Sequence, residues 1–189
     1  PGQATGRSIN LLHLGSGVSI SSSGRPRLWN LELAPSDNAT APPTASVVEV
    51  GAEGGPSPWL FHANAYQRLQ VEEVPGNSSA HREAVAAQYP APTTAAEVLT
   101  LLGDTSDADW PIFRGGGGAD VGSFTAMTVL MDASPGPAMG PTTFVYHGNP
   151  RDPASLVLAL DMRTLTPRSA HGADKLPLSG CGRTLGSAC

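Results

Sequence analysis

Two short polar signatures each set a hydrogen-bonding side chain against an apolar run. His62-Ala63-Asn64-Ala65-Tyr66-Gln67 follows Trp59-Leu60-Phe61, and Pro111-Ile112-Phe113-Arg114 comes about fifty residues later. An amide and a guanidinium placed at strand ends can converge on one developing negative charge, as in sites that stabilise the tetrahedral intermediates of acyl transfer. Asn64 and Arg114 are therefore the candidate catalytic residues. An amide buried beside Trp59, Leu60 and Phe61 must find a partner, because burying it unpaired is costly. A substrate oxyanion is one such partner. An arginine that closes an apolar segment either pairs with a carboxylate or serves a ligand. His62 shares strand parity with Asn64, so both would project from one face. A lone histidine there is more commonly a hydrogen-bonded core residue than a catalyst. His62 and Tyr66 are the candidates for bordering a substrate.

The nucleophile for such a site is expected elsewhere. The chain opens at Pro1 rather than Met, and its only cysteines, Cys181 and Cys189, sit in the last ten residues. Two cysteines so spaced do not make the disulfide framework of a small secreted domain. Free thiols are the expectation and a late local bridge the alternative. Asn38-Ala39-Thr40 and Asn77-Ser78-Ser79 fit the glycosylation acceptor pattern, which arises readily by chance in a Ser- and Thr-rich chain.

Several other chemistries are disfavoured by spacing. Gly115 to Gly118 lacks the Gly-Lys-Ser/Thr ending of a phosphate loop and reads as a turn. Asp104, Asp107 and Asp109 lack the glycine and terminal glutamate of a calcium loop and read as a solvated turn. The five histidines show no HExxH-like spacing, so no metal is expected. No Gly-x-Ser-x-Gly elbow is present, which removes the commonest serine hydrolase. No cofactor is expected.

Composition bounds the rest. A chain of 189 residues with 40% hydrophobic content suits one compact body with a buried core. Only 14% is charged, and 22 glycines and 18 prolines predict many turns and loops. A formal charge of −5, with Lys175 the only lysine, argues against a nucleic-acid partner, which needs clustered cations. No apolar run approaches the roughly 18 to 20 residues that span a bilayer, and no signal-peptide pattern opens the chain. A membrane partner is not expected.

The elements that must position the candidates follow from periodicity. Ile9 to Leu14 and Val18 to Ser21, separated by Gly15-Ser16-Gly17, read as a hairpin. Leu28-Trp29-Asn30-Leu31-Glu32-Leu33 alternates with the period of a half-buried strand, ended by Pro35 to Asn38. A loop from Ala39 to Ala45 follows. Val47 to Val50 and Trp59 to His62 are further strands, split by the tract Gly51 to Pro58. The opening is thus an antiparallel meander. Ser79 is the expected N-cap of a helix over Ala80 to Gln88, closed by Pro90. Thr94-Ala95-Ala96-Glu97 is a capping box. The short helix after it has Val98, Leu99, Leu101 and Leu102 as its apolar face and Gly103 as a left-handed terminator. Phe124 to Met131, Thr142 to His147 and Ser155 to Leu160 are three more strands. The tail, 163–189, reads as loop-rich or disordered.

Taken in order, Ile9-Asn10-Leu11, Leu28-Trp29-Asn30-Leu31-Glu32, His62-x-Asn64-x-Tyr66, Asn77-Ser78-Ser79-x-x-Arg82, Leu101-Leu102-Gly103-Asp104, Pro111-Ile112-Phe113-Arg114 and Gly148-Asn149-Pro150 form a succession. It resembles the C-terminal part of the acyl-coenzyme A:6-aminopenicillanic acid acyltransferase family, N-terminal-nucleophile hydrolases related to isopenicillin N acyltransferase. The resemblance covers about Gly6 to Leu160. Each motif is short, and the specificity lies in their succession. It implies an α+β fold, part of a four-layer αββα sandwich with mostly antiparallel sheets, over residues 1–162.

The resemblance also implies roles. A cysteine upstream of Pro1, exposed by autoproteolysis of the same precursor, would be the nucleophile, with its own α-amino group as base. Asn64 would donate to the oxyanion, and Arg114 would match the arginine that ends a Ser-Ile-Cys-Arg-like segment. His62 would be an architectural neighbour. Ser78, Ser79 and Arg82 would set the start of the next helix. Pro111 departs from the pattern where some members carry a serine, which puts any role of that serine in doubt. The implied activity is amide hydrolysis or acyl transfer on a small N-acyl or peptide-like amide. The alternative is a non-catalytic binding or structural module on the same scaffold.

Overall fold

The computed structural model describes residues 28–34, 42–50, 59–70, 77–119, 121–132 and 141–168. The expected Ile9–Ser21 hairpin, the turn at Pro35 to Asn38, the tract Gly51 to Pro58, the Asn38 acceptor pattern and both cysteines lie outside them. The chain divides into two compact units, Pro1–Glu83 and Ala84–Cys189. The class is α+β, with antiparallel sheets and two α-helices among the described residues.

In the first unit β1 (Leu28–Ala34) pairs antiparallel with β2 (Thr44–Val50), with Trp29 opposite Glu49 and Leu31 opposite Val47. The alternation in β1 predicts a strand correctly, but the buried face is the opposite of the apolar one. Asn30, Glu32 and Ala34 are buried, Glu32 completely, while Trp29, Leu31 and Leu33 are half-buried. The cause is the segment 59–70. It is expected to begin with a strand at Trp59 to His62, but its backbone is irregular. The N–H groups of Gln67, Arg68 and Leu69 donate to the Glu32 carboxylate at 2.9, 2.9 and 3.0 Å. Donors turned toward one carboxylate cannot also feed a ladder, so the segment folds around Glu32 instead of extending the sheet.

Helix α1 (Asn77–Ala86) starts two residues before the expected cap. Ser79 lies inside it, buried, with its hydroxyl accepting from the backbone of Asn64 instead of from its own helix.

In the second unit α2 (Ala95–Leu102) carries the expected capping box. Thr94 Oγ1 accepts from Glu97 N–H, and Glu97 accepts from Thr94 N–H. A four-stranded antiparallel meander follows, in the order β3 (Thr128–Asp132), β4 (Thr142–Tyr146), β5 (Leu156–Asp161) and β6 (Thr166–Arg168). β3 begins later than the Phe124 expected of it. β6 falls in the stretch expected to be loop, because it pairs with Ala159 to Asp161. Leu99 of α2 packs with Phe144, Tyr146 and Ala159, and Leu130 and Leu156 flank this core.

Candidate functional site

Asn64, Ser79 and Arg82 meet in the first unit. The Asn64 backbone N–H donates to Ser79 Oγ at 3.2 Å, and Arg82 Nη2 donates to Asn64 Oδ1 at 3.1 Å. Arg82 Nε also donates to the Ser78 carbonyl at 3.1 Å, one turn back along α1. Asn64 is exposed, not buried beside Trp59 to Phe61. Desolvation therefore does not force a partner on it, and the guanidinium is the partner it has.

His62 does not share a strand face with Asn64, because the segment is not a strand. Its side chain is 3% exposed, with Nε2 3.6 Å from Glu32 Oε1 and Nδ1 2.5 Å from the Ala63 carbonyl. A carbonyl only accepts, so Nδ1 carries the proton of that contact. The His62 side chain thus lies inside the unit, against Glu32. Tyr66 is half-buried, and its hydroxyl donates to the Leu33 carbonyl at 2.6 Å. Glu32 is the residue that sequence reasoning left without a role. Burial acts to raise its pKa, but the N–H groups of Gln67, Arg68 and Leu69 and the imidazole of His62 together hold it below 4.5. Its signal is the lone carboxylate of the alternating strand.

In the second unit three of the sequence motifs are tied together. Phe113 N–H donates to the Asp104 carbonyl at 2.8 Å, which fixes the segment that ends in Arg114. Arg114 is half-buried, and its backbone N–H donates to Thr125 Oγ1 at 3.0 Å. Asn149 Nδ2 donates to the Gly103 carbonyl at 3.0 Å. Gly115 to Gly118 forms a turn, as expected, with Gly116 and Gly118 at positive φ and a bridge between Gly115 and Phe124.

Asp104 is not part of a solvated turn. It is 3% exposed and accepts from Ser106, from the Tyr89 hydroxyl and from Arg151 Nη2, the last at 2.9 Å. Burial acts to raise its pKa, and these donors overcome that and bring it to about 2. The bond to Asp104, with burial added, pushes the Tyr89 hydroxyl above its ordinary value. Arg151 Nε donates to the Thr100 carbonyl at 2.8 Å, so one guanidinium closes the end of α2 onto the turn after β4. The Asp-x-Ser pattern at Asp104 signals a local side-chain turn. Nothing nearby in sequence points to Arg151, which lies 47 positions away.

Two small cavities border the described residues. One, lined by Asn30, Val48, Val50, Trp59, Leu60 and Arg68, has room for about 10 Å³, a single water at most. The other, of about 80 Å³, is lined by Tyr89, Pro90, Pro92, Glu97, Thr100 and Leu101. Both fall well below the roughly 300 Å³ of small-molecule sites. Among the described residues no three His, Cys, Asp or Glu side chains gather as a metal site, and no helix is long and apolar enough to cross a membrane. Comparison of the chain with protein-family models, curated proteins and solved structures found no match.

Proposed function

We propose that this chain is the C-terminal part of a cysteine N-terminal-nucleophile amide hydrolase or acyltransferase that acts on a small N-acyl or peptide-like amide. The observation that carries the reading is the meeting of Asn64, Ser79 and Arg82, which the resemblance draws from two separate motifs. An exposed amide pinned at its backbone and at its oxygen is a preorganised donor, the form of group that stabilises an oxyanion without reorganising. In this reading the thiolate of an upstream N-terminal cysteine attacks the amide carbonyl and Asn64 Nδ2 donates to the resulting oxyanion. Water or an amine then resolves the thioester.

The sheet of the second unit supports the four-layer part of the proposal. Leu130, Phe144 and Ala159 face α2, and the alternate residues Val129 and Met131 are 41% and 55% exposed on the opposite face. A sheet with a helix on one side and apolar side chains on the other is what half of an αββα sandwich requires.

Intact mass and N-terminal sequencing of the natural full-length product test the assignment. A processed subunit that begins with cysteine and contains this segment is the expected result, and an uncut chain without such a cysteine overturns the catalytic reading. In the processed protein Asn64→Ala is expected to lower turnover by about two orders of magnitude. Unchanged turnover removes Asn64 from the mechanism.

A further inference from the structure

An exposed asparagine amide ordinarily samples several rotamers and both orientations of its oxygen and nitrogen. At Asn64 three contacts restrict that freedom. Its backbone is held by Ser79 Oγ, which is itself buried. Its Oδ1 accepts from Arg82 Nη2 at 3.1 Å, and the same guanidinium is anchored through Nε to the Ser78 carbonyl at 3.1 Å. A guanidinium is planar and has donors only, so it takes the oxygen arm of the amide. With that arm engaged by Arg82, Nδ2 is the arm left to donate. The cation also withdraws electrons from the carbonyl and strengthens Nδ2 as a donor.

We infer that Arg82 is a positioning residue for the proposed reaction, acting through Asn64 to present its N–H, rather than its carbonyl oxygen, to the developing oxyanion. The inference rests on the reading of Asn64 as oxyanion donor. It assigns Arg82 a task beyond starting a helix. Without Arg82 the amide is free to flip, and a flipped amide sets oxygen lone pairs against the oxyanion.

Self-cleavage of the full-length precursor tests this without a known substrate. The cysteine sulfur bonds to the carbonyl carbon of the preceding residue, the C–N bond breaks, and the nitrogen takes the thiol proton to become the free α-amino group. Water then hydrolyses the thioester to a carboxylic acid and restores the thiol. The first-order rate is read by intact mass, and folding separately by thermal unfolding.

Arg82→Met is expected to slow cleavage about 10- to 100-fold, with Arg82→Lys recovering part of the loss. The double variant with Asn64→Ala is expected to be no slower than Asn64→Ala alone, because Arg82 works only through that amide. If Arg82→Met does not fold, the same comparison is made with Arg82→Lys. A double variant slowed by the product of the two single effects overturns the inference, as does a wild-type rate for Arg82→Met beside a slow Asn64→Ala. A wild-type rate for Asn64→Ala, or a precursor that does not cleave itself, overturns the oxyanion reading as well.

Discussion

A carboxylate with no exposure to water persists only where its charge is matched, and at Glu32 three backbone N–H groups do the matching. Glu32→Gln keeps the shape but exchanges a charged acceptor for an amide that sets an N–H against donors. A loss of about 3 kcal/mol is expected in urea unfolding of the protein. The folded pKa of Glu32 is lowered, so its contribution is fully present above an unfolded value near 4.5 and disappears as pH falls through the folded value. Asp104 has the same sign in a defined window. Its contribution is complete above 3.8 and is lost as pH falls toward about 2. The difference corresponds to about 2 kcal/mol, and Asp104→Asn should flatten this part of the acid limb in unfolding midpoints taken between about pH 2 and 6. Neither carboxylate was identified by local pattern. Glu32 looks like the polar half of an alternating strand, and Asp104 looks like a surface turn. The donors to Glu32 come from 35 or more positions away at Gln67, Arg68 and Leu69, and Asp104 adds Arg151, 47 away, to its near donor Ser106 and to Tyr89.

At the scale of single elements, α2 is the part most readable in advance, because its N-terminal signal lies within four residues. Thr94→Ala removes the hydroxyl half of the capping box and should cost about 1 kcal/mol in thermal unfolding. The C-terminal end shows the limit of the same reasoning. Gly103 terminates the helix as expected, but at φ −91° rather than in the left-handed region. Glycine is required there for space. A Cβ would lie 2.3 Å from Asn149 Oδ1 and 2.6 Å from Arg151 Cγ. Gly103→Ala should therefore destabilise by about 2 kcal/mol through displacement of the Asn149 and Arg151 side chains, measured as a shift in the urea midpoint. In β1 the period of two is correct, but the inward face is inverted, because burying a satisfied Glu32 also buries Asn30 and Ala34 on the same side.

At the scale of the whole molecule, order should be greatest where the layers close. β4 lies between β3 and β5 and supplies Phe144 and Tyr146 to the core under α2, so its amides should exchange slowest in the second unit. β6, three residues long at an edge, should exchange fast. Hydrogen exchange resolved by residue checks this, and a β6 as protected as β4 would contradict the packing described. Strands β1 to β5 and both helices were legible in the chain, because apolar period, caps and turn residues act over a few neighbours. Residue type beside apolar runs makes Asn64 and Arg114 candidates, and the two fall in different units. The partners of the polar groups were not legible. That Ser79 serves Asn64 instead of a helix end, that Arg82 holds the amide, that His62 turns inward and that segment 59–70 wraps Glu32 all depend on contacts 15 to 37 positions apart. Hydrogen bonds are satisfied by whichever donor the folded chain brings within reach. That choice is made when the elements pack, and sequence spacing carries no record of it.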